Sequence, residues 1–109
     1  MLRWLLNKLL PHDMEGDRSP EWPRVRREHL AKQPACVACG DTTDPQVHHV
    51  QDFHRHRELE LVPSNLITLC GDGAHGCHLR IGHSFRWDKI NPHCVTDAAL
   101  QAQRIRERR

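Results

Sequence analysis

The sequence predicts a small α+β domain: two short strands, helices before and after them, and a metal ion as the staple. Three observations carry this. The segments QVHHV (46–50) and LITLC (66–70) are short, rich in apolar and β-branched residues and bounded by turn formers, as strands are. The segments 20–32 and 97–109 have the length, caps and apolar spacing of helices. Finally, 109 residues with two Phe, three Trp and no Tyr leave a thin core, yet the chain holds five Cys and ten His. Small domains with thin cores need a staple, and this composition points to a metal.

In chain order, Leu2, Leu5, Leu6, Leu9 and Leu10 recur at helical spacing until Pro11. With the polar stretch that follows they form an amphipathic N-terminal segment and linker, residues 1–18, read as a short docking helix. Ser19-Pro20 looks like an N-cap with proline at the first helical position, opening a helix over 20–32. Trp22, Val25, His29 and Leu30 would face the core, and Pro34 closes the helix. The main domain, residues 19–96, then carries a CVACG knuckle, a DTTDP turn and the first strand, with Val47 and Val50 packing inward. After an irregular stretch come the second strand, a glycine-rich turn at 71–76 and a short helix over CHLRIGH. Asn91-Pro92 breaks the chain again, and Thr96 or Asp97 caps a basic C-terminal helix, 97–109.

The formal charge is only +2, but it is unevenly spread. Arg18, Arg24, Arg26, Arg27 and Lys32 against Glu21 and Glu28 make 18–32 locally basic, and four arginines do the same for 97–109. The middle, 41–60, is acidic. Basic flanks suit a protein that grips phosphates at its edges, and they equally suit solvated helix faces. No apolar run reaches the roughly 20 residues that span a bilayer. The opening residues make a poor signal peptide, and the expected setting is a reducing cytoplasm.

Cys36-x-x-Cys39-Gly40 has the spacing that lets two thiolates grip one tetrahedral zinc. Cys70 and Cys77 supply a second pair, separated by a GDGAHG loop that must bulge out for both to reach one ion. His75, inside that loop, is the alternative fourth ligand. Two disulfides, or free thiols packed in the core, are the competing reading, and a reducing compartment favours metal over them. A four-ligand zinc of this kind is structural, because no position is left open for substrate. Cys94 is left over and reads as a buried small residue.

With the cysteines assigned to zinc, His48, His49, Asn65, His78 and His83 remain. The order HH, Asn65, CH and His83, threaded through the cysteine frame, resembles the HNH endonuclease family, most clearly in VHHV, NLITLC and GCHLRIGH. The resemblance extends from about residue 19 to 92 and is nearest to the small phage and bacterial members. It implies a ββα-metal core with a four-cysteine zinc knuckle and flanking helices. It also implies a metal-dependent DNA phosphodiester hydrolase that leaves 5′-phosphate and 3′-hydroxyl ends. By that resemblance His49 is the general base, Asn65 fixes the loop, and His48 and His78 bind the catalytic cation. That cation would be Mg²⁺, Mn²⁺, Ni²⁺, Co²⁺ or Zn²⁺, imidazole favouring the later metals. His83 is harder to place, because five residues turn an ideal helix by about 500° and take it off the face of His78. It is a third ligand after a local distortion, a phosphate contact or a packed histidine. Arg80, Arg86, Arg24 and Arg27 are the candidate DNA contacts. A homodimer, or a place beside phage packaging machinery, is compatible with such a protein.

Neighbours on a strand point to opposite faces, so His48 and His49 can share a site only where the strand ends or distorts. Two other readings compete with the nuclease. One is a non-catalytic zinc module that binds DNA or protein through its basic helices. The other treats the histidines as a second stabilising metal site. His12, His29, His54, His56 and His93 lack a partnered motif and read as surface or helper residues.

Overall fold

The computed structural model describes residues 18–108. The expected N-terminal helix and linker lie outside the described residues, Arg18 excepted. Helix α1 (Trp22–Lys32) comes first, then strand β1 (Pro45–His49) and strand β2 (Leu66–Cys70). A single wide helical turn of π type follows over His78–Gly82, and helix α2 (Cys94–Glu107) ends the described chain. This is a small mixed α+β fold with one two-stranded antiparallel sheet.

The sheet sets the geography. Its register pairs Pro45 with Cys70, Val47 with Thr68 and His49 with Leu66, so these residues share one face. That face meets α1. The Thr68 hydroxyl donates to the Gln33 carbonyl at 2.6 Å, and its oxygen lies 3.0 Å from His29 Nε2. The other face carries Gln46, His48, Ile67 and Leu69 and meets the π turn. Under the cysteine end lies the core: Cys36, Ala38, Leu69, Cys70, Cys77 and, from α2, Ala98. Cys94, at the start of α2, is fully buried, as expected.

Three details differ from the sequence expectation. Ser19 does not cap α1. Its hydroxyl accepts from the Glu21 N–H in a local turn, and the helix starts at Trp22 with Pro23 in its first turn. In β1 the histidines are buried, while Val47 and Val50 are only half-buried, because the inward positions belong to polar groups that have partners. Helix α2 begins at Cys94, ahead of the expected start, and neither Thr96 nor Asp97 caps it. Asn91 organises that end instead. Its side-chain Oδ1 accepts from the His93 N–H at 2.9 Å, and its side-chain Nδ2 donates to Ile81 O and Asp97 Oδ2.

Candidate functional site

Two clusters of potential metal ligands meet at Cys77 and His78. The first is Cys36, Cys39, Cys70 and Cys77, whose sulfurs lie within 4.8 Å of one another. Cys39 and Cys70 are 3.7 Å apart. With metal–sulfur bonds of about 2.3 Å, the edge of a tetrahedron is about 3.8 Å, so the cluster could hold a metal ion such as zinc. The knuckle is closed by the Gly40 N–H donating to Cys36 O, with Gly40 at φ +82°. Cys70 and Cys77, at the two ends of the GDGAHG loop, bring their sulfurs into one cluster, and all five cysteines are free thiols. His75 is not part of the four-sulfur set. Its Nδ1 sits 3.4 Å from Cys39 Sγ and 3.5 Å from Asp41, outside the ring of ligands.

Burial pushes the Cys39 thiol up to about 11 and raises that of Cys77 as well. Burial also opposes ionisation of Cys70, but backbone N–H groups of Cys77 and His75 outweigh it, and its pKa falls. An ion in this cluster would have to displace protons that burial holds on Cys39 and Cys77.

The second cluster is His48, His78 and His83, each offering a ring nitrogen within 4.8 Å of the others. Their ring centroids are 4.9 to 5.0 Å apart, a nearly equilateral arrangement. The π turn makes this possible. Hydrogen bonding from i to i+5 widens the turn beyond 3.6 residues, so His83 comes round to the side of His78. The rotation of about 500° expected of an α-helix does not apply here, and His83 joins His78 and His48 in one cluster. Gly82 lets the turn approach β1: a Cβ there would stand 3.0 Å from the His48 ring.

The hydrogen bonds select the tautomers. His78 Nδ1 lies 2.7 Å from Gln46 Oε1, and His83 Nδ1 lies 2.9 Å from the Lys89 carbonyl. Each Nδ1–H donates outward and each Nε2 turns into the cluster, as in ligating histidines held by a second partner. His78 Nε2 is 3.1 Å from His48 Nδ1. Burial, helped by the neighbouring imidazoles, pushes His48 down to about 3 and His78 to about 4. Both are thus neutral at physiological pH, the state a metal requires.

His49 is the last residue of β1 and points to the opposite face from His48, as the period of two demands. The chain turns away there, and both imidazoles border one cavity of about 730 Å³ together with His78 and His83. His49 packs against Trp22, with centroids 4.7 Å apart, and its Nε2 is 3.0 Å from the Glu60 carbonyl. Nε2–H therefore donates to that carbonyl, and Nδ1 is left as the proton acceptor. Burial lowers His49 to about 4, with the Glu60 carbonyl pulling upward and the Arg18 guanidinium downward. Asn65 does not face the cavity. Its amide bonds the backbone of Gln51 (donating at 3.2 Å, accepting at 2.8 Å) and Leu59 O (3.1 Å), locking the loop that presents Glu60.

The four arginines singled out from the sequence do not line the cavity. Arg24 pairs with Glu21 and Glu28, and Arg86 with Asp88. Arg80 is exposed and reaches the His75 carbonyl, and Arg27 is exposed on α1. Arg18, Arg55 and Lys89 line it instead, with Trp87 on its rim. His54 lines it too, and His93 precedes α2. A local sign for Lys89 and Trp87 exists in hindsight, since both follow His83 within six residues. No helix among the described residues is long and apolar enough to cross a membrane. No protein-family model, curated protein or solved structure matches the chain at a significant level.

Proposed function

We propose that the protein is a metal-dependent endonuclease of HNH type that hydrolyses DNA phosphodiesters. The observation that carries this reading is the shared cavity, where a tautomer-fixed His49 stands beside three histidines that present their nitrogens inward. The four cysteines would hold a structural zinc. His48, His78 and His83 would hold a second divalent cation, which when bound absorbs charge on the phosphate and the leaving oxygen. Three protein ligands leave room for substrate, whereas four thiolates do not.

The chain's own residues supply the rest. Glu60 O holds Nε2–H, so Nδ1 of His49 takes the proton from the attacking water. The depressed basicity of His49 in the free protein recovers when a phosphodiester's negative charge enters the cavity. Asn65 keeps the Glu60 carbonyl in place through the loop, and Gln46 and the Lys89 carbonyl keep the other imidazoles turned inward. One such cavity cuts one strand, so a double-strand break takes two protomers or two successive nicks.

Supercoiled plasmid, incubated with protein in added Mg²⁺, Mn²⁺, Ni²⁺ or Zn²⁺, tests the reading. Metal-dependent nicking is expected, and His49→Ala should lower it by about 10²- to 10⁴-fold with the circular-dichroism spectrum unchanged. Equal activity in the variant removes His49 as the base. No cleavage with any cation, together with retained DNA binding, favours the non-catalytic zinc module.

A further inference from the structure

Next to the histidine cluster, residues 84–90 form a segment with an unusual surface. Phe85 is 67% exposed, Trp87 55% and Ile90 39%, three of the large apolar side chains that the described fold leaves outside. Ser84 and Phe85 both have positive φ, 51° and 74°, and a bulky residue seldom adopts that backbone. The strain is held by the Phe85 N–H donating to Leu79 O at 2.8 Å. Trp87 is the part that touches the cavity. Its ring centroid lies 5.2 Å from that of His78 and 5.0 Å from that of His83, and it lines the same space.

We propose that Trp87 is a stacking platform for an unpaired nucleobase adjoining the phosphate held at the histidines. The preferred ligand is therefore single-stranded or locally opened nucleic acid. The proposal rests on the nuclease reading for where the phosphate sits. Its support is the pairing of a half-open aromatic ring with cations. Arg55 and Lys89 line the same cavity, and of the two carboxylates there Asp88 is already bound by Arg86 at 3.0 and 3.2 Å, leaving Asp52. An aromatic face flanked by cations is how single strands are gripped without sequence readout. In an intact duplex the bases lie stacked inside while phosphates face outward. A ring beside the phosphate position can therefore meet only a base that has left its stack.

The experiment is fluorescence anisotropy with labelled oligothymidylate and with a labelled, blunt-ended G·C-rich duplex that has no unpaired loop, using the zinc-loaded 109-residue protein without further divalent cation. Trp87→Leu should weaken oligothymidylate binding between about five- and 150-fold, the loss expected for one stacked base. Trp87→Phe, which keeps a ring, should stay within about threefold of wild type. Duplex binding should change little in either variant. Equal losses on both DNAs would make Trp87 a packing residue and overturn the proposal, as would unchanged oligothymidylate binding in Trp87→Leu. Trp87-dependent binding without plasmid cleavage by the wild type keeps the platform and drops the nuclease. Cleavage without Trp87-dependence does the reverse.

Discussion

The cysteine cluster and the histidine cluster are joined by one peptide bond, between Cys77 and His78, yet they are opposite kinds of site. Cys36, Cys70 and Cys77 are at most 2% exposed and sit in the hydrophobic core. The histidines sit at the wall of an open cavity. Four thiols make a closed set, while three imidazoles leave room for a further partner. The proton inventory differs as well. Burial raises Cys39 and Cys77 and so keeps protons on the groups a metal needs bare, while it strips protons from His48 and His78. Low dielectric thus makes the first site costly to load and the second ready at neutral pH. In the function proposed above, the closed site would serve folding and the open one the chemistry.

The sharpest way to break this contrast is to remove one ligand from each side. Cys77→Ser should abolish stable folding, because a structural zinc contributes about 10 kcal/mol or more, comparable with the whole stability of a small domain. His48→Ala should remain folded and keep its zinc. Circular-dichroism melts with zinc quantified in parallel decide the matter. If His48→Ala collapses as Cys77→Ser does, the histidines form a second stabilising site and the nuclease reading loses its open centre.

Acid should expose the histidine side. His48, His49 and His78 have folded pKa values of about 3, 4 and 4, below the ordinary 6.5 of an unfolded chain. Below 6.5 the unfolded state therefore binds more protons, so stability is full above that pH and falls as pH drops from 6.5 towards 4. Guanidinium midpoints of the zinc-loaded protein should decline across this interval, and bound zinc quantified at each pH separates this loss from release of the metal as protons compete for the thiolates. A flat profile there would mean that the imidazoles take up protons without unfolding, and that their burial is not what holds them neutral.

Much of this contrast is legible in the residues themselves. Cys36-x-x-Cys39 announces a knuckle, and the two strands are short enough to read from β-branching alone. The His48/His49 pair can be split between faces by the strand period. What escapes is tertiary. A π turn cannot be told from an α turn in HLRIG, and α-helical spacing turns His83 away from His78. The Glu60 carbonyl that orients His49 is a backbone group and has no signature in a side-chain pattern. The arginines are a local matter instead: Arg24 pairs with carboxylates three and four residues away, partners that helical spacing already offers in the sequence, and Arg86 with one two residues away.

Gln46 is another residue that sequence reading passes over, and it probes how the two sites are linked. It lies on the same face of β1 as His48, opposite Leu69, and its Oε1 takes the Nδ1–H of His78. Its amide also packs under Gly71, next to Cys70, where a Cβ would run into it. Gln46 therefore stands between the cysteine frame and the histidine cluster. Gln46→Leu keeps a side chain of similar size but removes the acceptor, so His78 is free to flip or change tautomer. Loss of such a partner typically weakens metal binding by about 10- to 100-fold. Titration of the zinc-loaded variants with Ni²⁺, read by calorimetry, should show that loss in Gln46→Leu. Gln46→Glu, whose carboxylate accepts the same proton, should bind at least as tightly as wild type. Weakening in both variants would assign Gln46 to packing around Gly71. Ni²⁺ binding unchanged in Gln46→Leu would mean that the π turn alone aims His78, and that the cysteine frame exerts its hold through the backbone at Cys77.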